Sequence, residues 1–238
     1  MTHIKLCGFG SAEAAIAAVD AGVDAIGLVF VPAARRCLSL EAAEELLGAV
    51  RAHVAREHAG HAMPEIVGLF ADQPEDEVNR TVERLGLDAV QLCGAEGMAY
   101  ARAMRVPVSK VIAIDPEVPI GAQMPKIMVL QQRHTLAGHR IVIDTKVAGE
   151  YGGTGQRLDW SLADELARSF EMSLAGGLTP ENVGEAVRRV KPWGVDASSG
   201  VETDGEKDPE RVRAFVEAVR EADRAGAKRR GWRRLMPW

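Results

Sequence analysis

The stretch IKLCGFGSAEAAIAAVDAGVDAIGLVF, residues 4–30, contains a strand, a helix and a second strand in one short span. Its two ends, IKLC and AIGLVF, are nearly continuous apolar runs, which is typical of parallel strands buried on both faces. Between them lies an amphipathic segment that opens on Ser11, a good helix N-cap, and closes on Gly22. The stretch therefore predicts a β-α-β unit, the element from which parallel α/β folds are assembled.

The same alternation continues along the rest of the chain. The apolar runs are HIKLCG, AIGLVFV, EIVGLFAD, AVQLCG, SKVIAI, RIVIDT, MSLAGG and GVDASSG, and about seven amphipathic segments accompany them. Eight strands alternating with helices in 238 residues predict an α/β protein that forms a single (β/α)8 TIM barrel rather than an open doubly wound sheet. Prolines interrupt the pattern over residues 115–139, so helix 5 is expected to be weak or replaced by a loop.

Composition and charge exclude several classes of protein. A net charge of −5 gives no footprint for nucleic-acid binding, and the longest uncharged apolar stretch stops at Arg35, too soon to span a bilayer. The N-terminus lacks the layout of a signal peptide, so a cytoplasmic location is expected. Three widely spaced cysteines favour reduced thiols over a disulfide framework.

The chain is expected to consist of one large barrel domain and a short C-terminal tail. Residues 1–226 are assigned to the barrel, and residues 227–238, AKRRGWRRLMPW, form a basic segment without acidic residues that we expect to be a flexible tail. The sequence does not predict the oligomeric state.

The tripeptide LCG occurs twice, but its copies fall on strands 1 and 4, whereas a duplicated half-barrel would match strand 1 to strand 5. In a TIM barrel, residues at the C-terminal ends of strands face the active site. This rule collects candidates from distant parts of the sequence: Cys7, Arg35, Arg36, Cys93, Asp144, Gly176, Gly177, Ser198, Ser199 and Gly200.

Glycine-rich segments follow several strands. The segments LAGGLTPENV and VDASSGVE come after strands 7 and 8, where TIM barrels commonly bind phosphate at a helix N-terminus, although a Gly-Gly pair can also make a simple tight turn. A third segment, EYGGTGQRLDW, follows strand 6 at some distance, as either a lid that excludes water or a surface loop without a role.

Cys7 and Asp144 are a thiol and a carboxylate at strand ends three strands apart around the ring. A thiolate can act as a base and a carboxylic acid as a general acid, provided that the site lowers the cysteine pKa and raises the aspartate pKa. The alternatives are a small buried cysteine and an aspartate that caps a loop. The cysteines lack a CxxC pair or a histidine at ligand spacing, so no metal site is predicted.

In order along residues 3 to 220, the motifs IKLCG, AGVDAIGLVF, VGLFAD, LDAVQLCG, VIDT, GGTGQRLDW, LAGGLTPENV, VDASSGVE and GEKD resemble the phosphoribosylanthranilate isomerase family. The resemblance implies a cofactor-free Amadori rearrangement of N-(5-phosphoribosyl)anthranilate to 1-(2-carboxyphenylamino)-1-deoxyribulose 5-phosphate. It implies Cys7 as the base, Asp144 as the acid and Arg36 as the partner of the anthranilate carboxylate. The phosphate of this small phosphorylated sugar would lie at Gly176, Gly177, Ser199 and Gly200.

Two positions depart from the family pattern. Cys93 stands where the family usually has a histidine, and Ala34 stands in place of a serine, so polar contacts on the amine-bearing side of the substrate are weakened. The departures leave open the same rearrangement on a different phosphoribosyl amine. Because a fold alone does not prove function, a non-catalytic phosphosugar-binding barrel is a further alternative, against which the retention of Cys7 and Asp144 counts.

Overall fold

A computed structural model describes residues 1–57, 63–145 and 160–235. Eight parallel strands form a closed barrel in sequence order, and β8 pairs with β1. The strands are β1 (His3–Cys7), β2 (Ala25–Val29), β3 (Glu65–Phe70), β4 (Ala89–Leu92), β5 (Val108–Ile114), β6 (Arg140–Thr145), β7 (Ser173–Leu174) and β8 (Gly194–Ala197). The predicted (β/α)8 barrel is confirmed.

A helix follows each strand on the outside of the barrel. These helices are α1 (Ala12–Ala21), α2 (Leu40–Glu57), α3 (Glu75–Leu85), α4 (Met98–Ala103), α5 (Ile120–Leu136), α6 (Trp160–Ser169), α7 (Pro180–Val190) and α8 (Pro209–Leu235). Between β8 and α8 lie a short 3-10 helix (Ser199–Val201) and a hairpin of two-residue strands, β9 (Glu202–Thr203) and β10 (Glu206–Lys207). The first unit forms as predicted: Ser11 accepts from the backbone N–H of Ala14, and Gly22 ends α1 with a φ of 85°.

The segment between β5 and β6 is expected from the sequence to hold a weak helix or a loop. It forms the 17-residue helix α5 instead. Pro125 lies inside this helix and lacks the N–H for one helical hydrogen bond. The helix nevertheless forms with Ile127, Gln131 and His134 buried and with contacts to β5 and β6. Tertiary packing therefore outweighs the local cost of the proline, a balance that the sequence pattern does not contain.

The strands separate two apolar regions. Ile4 and Leu6 belong to the large core between strands and helices, whereas Cys7 belongs to a smaller cluster within the barrel that includes Val29 and Leu69. This division follows from the two-residue period of a strand, which turns alternate side chains to opposite faces.

Helix α8 continues to Leu235 and so reaches into the segment that the sequence assigns to a tail. Among the described helices, none combines the length and apolar character needed to cross a bilayer.

Candidate active site

A cavity of about 700 Å³ opens at the C-terminal ends of the barrel strands. Its lining includes every site residue that the sequence predicts: Cys7, Arg36, Cys93, Asp144, Gly176, Gly177, Ser199 and Gly200. The positional rule for TIM barrels therefore brings together residues from six different strand ends.

Cys7 is the last residue of β1 and is buried, with its side chain on the barrel interior. Gly27 on the neighbouring strand makes room for it, since a β-carbon there would lie 2.8 Å from Cys7 Sγ. The following residue, Gly8, has a φ of 80°, which lets the chain turn away from the cavity. Ser198 fixes the other side by donating its hydroxyl to the carbonyl oxygen of Cys7 at 2.9 Å.

A base at Cys7 requires a lowered pKa of the thiol, but in the structure this pKa is raised. Burial raises the pKa of this thiol, and the positive charges of Lys5, Lys207 and Arg36 offset only part of that rise. Cys7 is therefore a thiol that ionises reluctantly, and it could act as a base only with positive charge nearby.

Asp144 lies near the end of β6, and its pKa is raised, as a general acid at neutral pH requires. Burial raises its pKa to about 6, although its Oδ1 accepts from the backbone N–H of Thr145 at 2.7 Å. A carboxyl group with this pKa retains a proton for part of the time near neutral pH, which suits a general acid.

A buried ion pair lies between Cys7 and β8. Lys5 Nζ donates to Asp196 Oδ2 at 2.8 Å, and the two residues are register partners on adjacent strands. Burial opposes the charge of Lys5, but the Asp196 carboxylate outweighs that effect and raises the lysine pKa. The second oxygen, Asp196 Oδ1, is buried without a hydrogen-bond partner in the described part of the chain, so an acceptor remains at the cavity wall.

The loops after β7 and β8 meet beside the cavity. Gly176 and Gly177 have φ values of 86° and 64°, and a β-carbon at Gly200 would overlap the carbonyl oxygen of Leu178. Thr179 is the N-cap of α7, and its backbone N–H donates to Asn182 Oδ1 at 2.9 Å. Two successive glycines before a helix N-terminus and the close approach of the next loop form a backbone-lined recess suited to an anion.

Arg36 faces the cavity from the loop after β2, but its guanidinium is not free. Its Nε and Nη2 donate to the two oxygens of Glu202, each at 2.7 Å. Glu202 also accepts from Arg35 Nη2 and Lys207 Nζ, so three cations surround one carboxylate. Neither Glu202 nor Lys207 is predicted from the sequence to have a role, although both lie in motifs of the resemblance.

Ala34 and Cys93 both line the cavity and pack against the same apolar cluster, in which Val29 and Leu69 are buried. Cys93 contacts Gln91 through weak sulfur hydrogen bonds of 3.8 and 3.9 Å. The two departures from the family pattern are therefore on the same apolar part of the lining.

The expectations for the lid segment and for metal binding remain. Residues 150–159 of the proposed lid segment fall outside the described residues. Among the residues that are described, no group of three histidine, cysteine, aspartate or glutamate side chains is arranged to hold a metal ion.

The chain resembles known proteins over nearly its whole length. The family model for N-(5′-phosphoribosyl)anthranilate (PRA) isomerase matches residues 4–218. An N-(5′-phosphoribosyl)anthranilate isomerase of Roseiflexus castenholzii is 41% identical over 222 residues, which cover 93% of this chain and 99% of the relative. A multifunctional tryptophan biosynthesis protein of Phycomyces blakesleeanus is 32% identical, and the match covers 92% of this chain and 32% of that protein.

Solved structures agree with the sequence relatives. The phosphoribosyl anthranilate isomerase of Thermotoga maritima superposes with a TM-score of 0.77 at 31% identity, covering 93% of this chain and 100% of that one. A second isomerase structure, with a TM-score of 0.74 at 28% identity, covers the same shares and contains reduced 1-(o-carboxyphenylamino)-1-deoxyribulose 5-phosphate.

Proposed function

The chain belongs to the N-(5′-phosphoribosyl)anthranilate isomerase family and is an isomerase of tryptophan biosynthesis, and we propose that Cys7 and Asp144 perform its proton transfers. The reaction converts N-(5-phosphoribosyl)anthranilate into 1-(2-carboxyphenylamino)-1-deoxyribulose 5-phosphate. The observation that carries the proposal is that one cavity contains a thiol, a carboxyl group of raised pKa and a backbone recess for an anion.

Asp144 is proposed to donate the first proton. It protonates the ring oxygen of the furanose, the C1′–O bond breaks, and the nitrogen lone pair forms a C1′=N iminium. A carboxyl group with a pKa of about 6 is a stronger acid than a neutral thiol and is still partly protonated near pH 7. Asp144 therefore fits the acid role better than Cys7 does.

Cys7 is proposed to remove the proton from C2′. The electron pair of the C2′–H bond then forms the C1′–C2′ double bond, and the electrons of the C=N bond return to nitrogen to give the enolamine. Tautomerisation of this enolamine moves a proton to C1′ and yields the ketone. The iminium places positive charge next to C2′, which favours a thiolate despite the burial of Cys7.

The two ends of the substrate are proposed to bind at opposite sides of this pair. The phosphate lies at Gly176, Gly177, Ser199 and Gly200, and the anthranilate carboxylate lies at Arg36. Among the described residues, the backbone N–H groups of Gly176 and Gly177 donate to no other backbone group, which leaves them available to phosphate oxygens. Cys93 lines the cavity, and the aromatic ring of the substrate is proposed to lie on its side.

Two further expectations are retained as proposals. The functional unit is residues 1–226, with residues 227–238 outside the catalytic barrel. A cytoplasmic location is likewise proposed, since the free cysteines Cys7, Cys37 and Cys93 suit a reducing compartment.

A direct assay of purified protein tests the function, together with complementation of a tryptophan-requiring strain that lacks this isomerase. Wild-type protein is expected to restore growth and to turn over N-(5-phosphoribosyl)anthranilate. Cys7→Ser and Asp144→Asn are each expected to lower kcat by roughly 10²- to 10⁴-fold while they still bind the reduced product analogue. An undiminished rate in either variant would overturn its assigned role, and failure of the wild type in both assays would overturn the function.

A further inference from the structure

The loop after β2 and the hairpin after β8 are joined by four charged side chains, Arg35, Arg36, Glu202 and Lys207, which we call the Glu202 cluster. Glu202 Oε1 accepts from Arg36 Nε and Lys207 Nζ, and Oε2 accepts from Arg36 Nη2 and Arg35 Nη2. The cluster has three positive charges and one negative charge. It therefore keeps an excess of positive charge next to the cavity.

Glu202 is held firmly in this cluster. Its side chain is only 5% exposed, and each carboxylate oxygen has two donors. Burial alone would raise the pKa of Glu202, but the hydrogen bonds from Arg36 and Lys207 outweigh it and lower that pKa. A buried carboxylate with four donors is costly to displace, so an incoming ligand does not readily replace it.

The bonds to Glu202 determine which edge of Arg36 remains available. They use Nε and Nη2, the side edge of the guanidinium. An arginine presents five N–H groups in a planar fork, so within the described ranges the end edge, formed by Nη1 and the second N–H of Nη2, is left to bind another carboxylate in bidentate fashion. The stem of Arg36 is also confined, because a β-carbon on Gly8 would lie 2.5 Å from Arg36 Cδ.

The cluster also contacts the chain around Cys7. Lys207 Nζ donates to the carbonyl oxygen of Ser198 at 3.1 Å, and the Ser198 hydroxyl donates to the carbonyl oxygen of Cys7. Gly8, the residue after Cys7, packs against Arg36. A closed ring of contacts thus links the base to the arginine, and Glu202 is the residue that joins its two halves.

We infer that Glu202 is a positioning residue for substrate recognition, which clamps the side edge of Arg36 so that its end edge is presented to the carboxylate of the substrate at a fixed distance from Cys7. This inference rests on the proposed function in that Arg36 binds the anthranilate carboxylate. Glu202 does not touch the substrate and acts through Arg36.

The experiment compares Glu202→Gln with Glu206→Gln, a control on the same hairpin whose side chain is exposed. Glutamine keeps the size of Glu202 but removes its charge, and its NH2 group must face one of the cationic donors. Each protein is assayed with N-(5-phosphoribosyl)anthranilate and with N-(5-phosphoribosyl)aniline, which lacks the carboxylate. The dissociation constant of the reduced product analogue is measured by calorimetry, which requires no turnover.

For Glu202→Gln we expect KM for the anthranilate compound to rise roughly tenfold or more, with a smaller change in kcat, because binding rather than chemistry is impaired. KM for the aniline compound is expected to stay within about twofold of the wild-type value, and the product analogue should bind roughly tenfold more weakly. Glu206→Gln should match the wild type throughout. In an Arg36→Ala background, Glu202→Gln should cause no further loss of discrimination between the two substrates.

Equal losses on both substrates, unchanged binding of the product analogue, or an undiminished effect of Glu202→Gln in the Arg36→Ala background would each overturn the inference. If Glu202→Gln does not give a folded protein by circular dichroism, Glu202→Asp is used, whose carboxylate is withdrawn by one methylene and should give a smaller loss of the same kind. Failure of the proposed function is a separate result, since it would appear as absent wild-type turnover while the calorimetric comparison still tests Glu202.

Discussion

Gly176 packs so closely against Asp144 that a β-carbon on Gly176 would lie 3.1 Å from Asp144 Oδ1. The same β-carbon would lie 2.5 Å from Thr145 Oγ1, and Gly176 has a φ of 86°. From the sequence, this glycine is predicted to contribute to the phosphate recess alone. In the structure it also adjoins the carboxyl group proposed as the acid, so one residue joins the two parts of the site.

Gly176→Ala should therefore impair both stability and turnover. A positive φ disfavours alanine, and the added methyl group must displace Thr145 or Asp144, so we expect a loss of about 1–3 kcal/mol in the free energy of unfolding and at least a roughly tenfold loss in kcat/KM. Urea unfolding and steady-state kinetics provide the measurements. Gly48→Ala is the control, because a β-carbon at this exposed position of α2 meets no described residue within 4 Å and should not destabilise the protein. Wild-type kinetics in Gly176→Ala would contradict this account.

The pH dependence of kcat/KM should reveal an acid whose pKa lies below that of the base. The reactive form proposed above contains protonated Asp144 and a Cys7 thiolate, but the pKa of Asp144 is about 6 and burial raises that of Cys7. This form is a minor one at neutral pH, and its fraction rises up to about pH 6, stays level, and falls above the pKa of Cys7.

Asp144→Asn separates the two groups. Without the acid, the residual kcat/KM should follow the thiolate alone and keep rising with pH, so the ratio of wild-type to variant activity should fall about tenfold per pH unit above pH 6. A ratio that is constant from pH 6 to 9 would show that Asp144 is not the titrating acid.

The same substitution should stabilise the folded protein at neutral pH. A carboxyl group with a raised pKa binds more protons when folded than when unfolded, so its contribution is favourable below about pH 4 and is lost as the pH rises to about 6. Asp144→Asn removes that loss, and its free energy of unfolding should exceed that of the wild type by up to about 3 kcal/mol above pH 6 and match it near pH 4. Urea titrations at several pH values test this, with the exposed Asp204→Asn as control. A difference independent of pH would contradict it.

Lys5 places a positive charge near Cys7, the proposed base, and forms an ion pair with Asp196. Lys5→Met leaves a buried carboxylate unpaired, so we expect a loss of about 3–5 kcal/mol in the free energy of unfolding, of which Lys5→Met with Asp196→Leu should recover a large part. Because the charge of Lys5 lowers the pKa of Cys7, Lys5→Met should also move the high-pH limb of kcat/KM to higher pH. An unchanged limb in folded Lys5→Met protein would mean that the lysine is structural only.

The barrel and the positions of the site residues can be predicted from the sequence, because both follow from local patterns of residues. Buried parallel strands appear as apolar runs, and the end of each run marks the face where Cys7 and Asp144 are found. The pKa of Cys7 could not be read in this way, since its direction depends on burial by other strands and on charges brought near it by folding. The bonds of Glu202 to Arg36 span 166 residues and exist only once β8 lies beside β1.

The ion pair of Lys5 and Asp196, by contrast, could have been predicted from the sequence. Lys5 and Asp196 are charged residues within otherwise apolar strands, IKLC and GVDA, and a charge that is buried on both faces requires a partner. Helix α5 could not be predicted with the same certainty, because Pro125 and the exposed apolar residues Met128 and Val129 obscure its amphipathic pattern.

The side of the cavity formed by Ala34 and Cys93 should determine which amine the enzyme accepts. Both residues lie on one apolar part of the lining, away from the proposed phosphate recess, and the family resemblance implies a polar residue at each of these positions. Cys93→His with Ala34→Ser should restore polar contacts there and lower KM for N-(5-phosphoribosyl)anthranilate relative to N-(5-phosphoribosyl)aniline by roughly threefold to tenfold. Ribose 5-phosphate, which lacks the amine, should inhibit the variant and the wild type equally. A parallel change in KM for both glycosides would show that these positions do not distinguish the aromatic group.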